Sequence, residues 1–144
     1  MAATSAWLPT TLGSDAFAAL TAIFAKIGLE GIDSDFATLV RTVVIVAVLG
    51  AFVAVTGKWR NPLALPAHSA AFLVLSALAT GASWVCYFRA LKAGPASNVA
   101  AVDKLSVLLV AVFAFMFLGE RLGLREWIGV ALVGLGVVVI AFKP

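Results

Sequence analysis

The chain has 144 residues, 63% of them hydrophobic and 12% charged, with a formal net charge of +3 and a mean hydropathy of +1.12. So little polar surface excludes a water-soluble globule and points to an all-α integral membrane protein partnered by lipid. The ten Lys and Arg are scattered at segment ends, which argues against nucleic-acid binding. One cysteine, Cys86, and one histidine, His68, offer no disulfide, no metal-ligand spacing and no catalytic set, so neither a cofactor nor an enzymatic activity is expected.

Five apolar runs follow one another, each near the ~20 residues that a spanning helix needs. They cover 16–27, 36–57 (interrupted by Arg41), 69–88, 93–118 (interrupted by Asp103 and Lys104) and 127–142. The stretches between them, 30–35, 58–62, 92–95 and 119–123, are polar or carry Gly and Pro, and read as connections. The start of the first helix admits two readings. It begins at Trp7, which puts Asp15 within the membrane, or near Ser14, with Ser14 or Asp15 as N-cap. Residues 1–13 are thus a tail or the start of the first helix, ahead of one five-helix domain over 14–144. Without a basic residue before the first run, a cleaved leader is not expected. Small residues recur at helical spacing: Ala18, Ala22 and Ala25; Ala77 and Gly81; Gly129 and Gly136. Ordinary helix packing explains them. Trp59 and Trp127, beside Lys58, Arg60 and Arg125, read as interfacial anchors.

The stretch 84–106 carries the chemistry. Asp103 and Lys104 lie about eight residues past Pro95, roughly 12 Å into the fourth run at ~1.5 Å per residue. In hydrocarbon each costs ~2.5–3.5 kcal/mol unless paired or hydrated, so both are candidates for solute binding or ion coupling. Asp103 carries a coupling proton or binds a cationic group; its plainer reading is an ion pair with Lys26, Arg41 or Arg89, which approach the membrane from the same side. Ser83, Trp84 and Tyr87 share one face of the third helix, an aromatic wall with polar tips that suits a partly apolar or cationic solute. Their plainer reading is helix contact. Lys26 and Arg41 can reach headgroups and need no further role, yet several cations near one depth also suit an anionic solute. Asn98 and Ser106 are further polar candidates in the fourth helix, and Glu120 with Arg121 reads as a cap or ion pair.

With five spans, Lys58, Arg60, Arg121 and Arg125 fall on one side and Lys26, Arg41, Arg89, Lys92 and Lys143 on the other, four against five. The positive-inside rule then has almost nothing to choose between, as expected of a chain that inserts both ways. Two oppositely inserted copies would form a pseudo-symmetric pair like the inverted repeats of transporters. The alternative is a single orientation set by one or two loops.

Three stretches, FAALTAIFAKIGLEGIDS (17–34), SALATGASWVCYFRALKAGPASNVAAVDKLSVLLV (76–110) and FLGERLGLREWIGVALVGLGV (117–137), resemble one repeat of the drug/metabolite transporter superfamily. The similarity is to the EamA-type domain, in particular to its small single-repeat bacterial and archaeal members. Residues 7–15 depart from it, lacking the apolar run with which that repeat is expected to begin. The resemblance implies a multi-pass inner-membrane protein that moves a small organic solute by alternating access. Its missing half would come from a second subunit, most simply an antiparallel copy of itself. The alternative is a non-transporting accessory subunit paired with another single-repeat protein, as in a lipid-carrier flippase.

Overall fold

The computed structural model describes residues 7–141. Among them, five helices are long and apolar enough to cross a membrane: Trp7–Gly28, Ser34–Val55, Ala67–Ala93, Ala96–Leu118 and Leu124–Ala141. Residues 1–6 of the stretch 1–13 and the last residue of the fifth run, with Lys143, lie outside the described residues. Of the two starts open to the first helix, the chain takes the earlier, so Asp15 lies inside the helix and exposed. Thr11 Oγ1 donates to the Trp7 carbonyl at 2.9 Å, which occupies a first-turn group in apolar surroundings.

The second span starts where Asp33 caps it. Its carboxylate accepts from the backbone N–H groups of Asp35 and Phe36, both at 3.0 Å, satisfying two of the four donors that every helix start leaves open. In the same span the hydroxyls of Thr38 and Thr42 donate one turn back, to the carbonyls of Ser34 and Thr38 at 2.8 and 2.7 Å. These bonds let hydroxyls reside in an apolar helix without an orphaned donor. The third span begins just after Pro66 and ends at Ala93, because Pro95 can donate no N–H to its last turn.

The fourth span departs from the single helix expected over 93–118. It is helical over Ala96–Asp103 and again over Ser106–Phe113. At the junction the ladder tightens to three-residue spacing: Lys104 N–H to Ala101, Leu105 to Val102, Val107 to Lys104 and Leu108 to Leu105, at 3.0–3.1 Å. Such a turn in mid-helix is a point of lower stiffness, and it falls on the two charged residues of the span. The span then widens into a π-helical turn, Ala114–Leu118, and stops at Gly119, whose φ of 69° favours glycine. The fifth span is capped by Glu126 and not by the Glu120–Arg121 pair that the sequence offers. The Glu126 carboxylate accepts from the Gly123 N–H at 2.5 Å, the reciprocal half of a capping box.

The chain divides into two units, Phe24–Lys92 and the remainder on either side of it. Within the second, the fourth and fifth spans pack together, with Ala111, Gly134 and Val137 buried. A Cβ on Gly134 would stand 2.8 Å from Leu108 Cδ2, so this glycine sets the approach of the two helices. Gly129 and Gly136, the pair picked out by spacing, have nothing within 4 Å of such a Cβ. The Phe24–Lys92 unit keeps its core at one end, in Phe88 (2% exposed), Leu91 (0%) and Leu29 (4%).

Candidate functional site

Three cations hold that end of the Phe24–Lys92 unit together. Arg89 grips Asp35 with two parallel bonds, Nε to one carboxylate oxygen at 2.9 Å and Nη2 to the other at 2.6 Å. This fork geometry is the most directional ion pair available to a protein. Lys92 Nζ donates to the Ile32 carbonyl at 2.8 Å. Lys26 Nζ donates to the Leu91 carbonyl at 2.6 Å. The last of these follows from the covalent sequence. The carbonyl of Leu91 would normally bond the N–H four residues on, and residue 95 is proline. Lys26 supplies the missing donor and places a positive charge at the negative end of the third helix.

Arg41 is held differently. Its Cζ lies 4.3 Å from the centroid of the Trp84 ring and 5.1 Å from that of Phe88. Trp84 and Phe88 are one helical turn apart on the third span and so present their rings on the same side. An arginine deep in a bilayer costs ~2.5–3.5 kcal/mol on insertion scales, and a desolvated cation–π contact offsets about 2 kcal/mol of it. The rings therefore meet much of the cost of burying the charge. The guanidinium carries five N–H donors, all in its plane. Among the described residues, Arg41 makes no salt bridge.

Of the aromatic wall read from the sequence, Trp84 and Tyr87 are partly buried and Ser83 is exposed. Tyr87 meets Phe88 edge to face, with centroids 6.3 Å apart. Phe88, which completes the surface under Arg41, was legible as the residue four after Trp84. Asp35 reads in the sequence as part of the connection 30–35, and the structure places it in the first turn of the second span. Arg89, offered as a partner for Asp103, pairs with Asp35. In the other unit Asp103 and Lys104 are exposed at the tightened turn, Ser106 is exposed just beyond it and Asn98 is partly buried. Among the described residues, no three His, Cys, Asp or Glu gather as metal ligands would.

Five helices long and apolar enough to cross a membrane define a multi-pass membrane protein. The EamA-like transporter family matches residues 5–142, and the chain belongs to that family. It is 56% identical over 135 residues to a Sinorhizobium sp. protein described as an uncharacterized transporter in the cobO 3′ region. That match covers 94% of this chain and 96% of the relative. No solved structure matches the chain.

Proposed function

We propose that the protein moves a small organic solute across the inner membrane by alternating access, as a homodimer of two oppositely inserted copies. Membership of a transporter family carries this reading. Two observations support the second copy. Within any spanning window no more than 11% is buried inside the chain, so most of every span is available to lipid or to a partner. The Arg and Lys count, four on one side and five on the other, gives insertion little bias. In such a pair the two copies rock against each other around a site near the midplane, as the two halves of an inverted-repeat transporter do. The tightened turn at Lys104–Leu105 supplies flexibility in the span that carries Asp103 and Lys104.

Topology tests it. Carboxyl-terminal reporters, one active only in the cytoplasm and one only outside it, are fused to the chain at matched expression. Strong signal from both is expected. Signal from one alone removes the inverted homodimer and leaves a parallel dimer or an accessory subunit that pairs with a different single-repeat protein, which copurification distinguishes.

A further inference from the structure

Resting on the transport reading above, we propose that Arg41 is the recognition residue for an oxyanion on the solute, which is thus an organic anion with an apolar body and not a cation.

The aromatic surface of the third span would ordinarily attract a cation. Here that place is taken, because the guanidinium of Arg41 lies 4.3 Å from the Trp84 centroid and 5.1 Å from that of Phe88. A cationic solute would have to displace a residue of the same charge. Arg41 brings to that place a planar fork of N–H donors whose spacing matches a carboxylate or a phosphoryl group, either of which accepts them far better than a ring does.

The nearby groups sharpen this assignment. The carboxylate closest along the same helix, Asp35, has both oxygens engaged by Arg89. Lys26 and Lys92 donate to backbone carbonyls of Leu91 and Ile32. Arg41 lies against the rings of Trp84 and Phe88, and among the described residues it has no ion pair. It is also deep. Trp84 stands nine residues before the end of the third span at Ala93, about 13 Å along the helix. A guanidinium at the level of that ring has not retreated to the headgroups, as a snorkelling arginine would.

The test uses the full-length protein in nanodiscs of zwitterionic phosphatidylcholine, with Trp7, Trp59 and Trp127 replaced by Phe so that Trp84 alone reports. Phenylacetate and phenethylammonium are titrated as probes of matched shape and opposite charge, and inorganic phosphate as a competitor. Expected are a saturable change in Trp84 emission with phenylacetate, none with phenethylammonium, and displacement by phosphate. Arg41→Gln should weaken phenylacetate binding about tenfold to a hundredfold, the range for a charged hydrogen bond. Arg41→Lys, which keeps the charge and loses the fork, should fall between and guards against a folding defect in the glutamine variant.

The proposal is overturned if phenethylammonium binds in place of phenylacetate, if Arg41→Gln leaves phenylacetate affinity unchanged, or if neither oxyanion probe moves the signal. It is overturned as a statement about the solute if Trp84 responds only when phosphatidylglycerol is added, which makes the oxyanion a lipid headgroup. Flux of the same probes into liposomes separates the two readings. Phenylacetate binding without flux retains the oxyanion site and ends the transport reading; Arg41-independent flux of phenethylammonium does the reverse.

Discussion

Replacing Lys26 with Met distinguishes a structural lysine from a solute ligand. Met keeps most of the aliphatic stem and removes the ammonium, so little packing is lost and the donor to Leu91 disappears. A hydrogen bond from a charged group is worth about 1.5–3 kcal/mol, and a cation at a helix C-terminus about 0.3–1 kcal/mol. Because residue 95 is proline, no N–H four residues on can take over the Leu91 carbonyl. The expected loss in unfolding free energy is therefore roughly 2–4 kcal/mol. It is measured by SDS titration in mixed micelles, and faster amide exchange should appear in the last turn of the third span. Solute selectivity should not change, since the ammonium is spent on the backbone. Stability within ~0.5 kcal/mol of the parent, together with altered selectivity, would refute the assignment and return Lys26 to the solute path.

The two glycine environments of the fifth span predict opposite outcomes. Gly134→Val drives a branched side chain into Leu108, 2.8 Å from where its Cβ must go, and should cost about 1–3 kcal/mol of overpacking, partly restored by Leu108→Ala. Gly136→Val meets open space in the chain and should leave the unfolding of the single chain unchanged; a loss of crosslinked dimer in native membranes would place this position on the interface between copies. For Asp103, whose carboxylate lies exposed at the break in the fourth span, Asn substitution should remove the pH dependence of uptake in proteoliposomes while dimerisation persists. Unaltered pH dependence sinks its role in proton coupling.

The five spans were legible because composition and length decide them: a run of about 20 apolar residues has few other fates. What the pattern did not carry was the state of the ladder inside a span. No proline or glycine stands at 103–106, so the breakers that normally announce a change were missing and the tightened turn at Lys104–Leu105 could not be read off. The same limit applies to Gly134. Spacing picked out Gly129 and Gly136, yet which glycine meets a neighbour depends on how the fourth helix lies against the fifth, and hydropathy does not encode that rotation. Capping followed the same division: Glu120 and Arg121 look like a cap by type, but Glu126 stands three residues after Gly123 and has the reach.

At the candidate site the residue types were legible and their pairing was not. Lys26, Arg41, Arg89 and Lys92 all read as cations near one membrane face, and the first three were open as partners of Asp103 or as ligands of a solute. Local covalent facts decide among them once the helices are in place. Pro95 leaves the Leu91 carbonyl without its usual donor, and Lys26 supplies one. The first turn of the second span presents Asp35, which a planar fork fits better than a point charge, so it goes to Arg89. Arg41 then lies where the closest carboxylate along its helix is already engaged, against the rings of Trp84 and Phe88. An aromatic wall that reads in sequence as a receptor for cations is thus, in the folded chain, already faced by a cation of the protein's own.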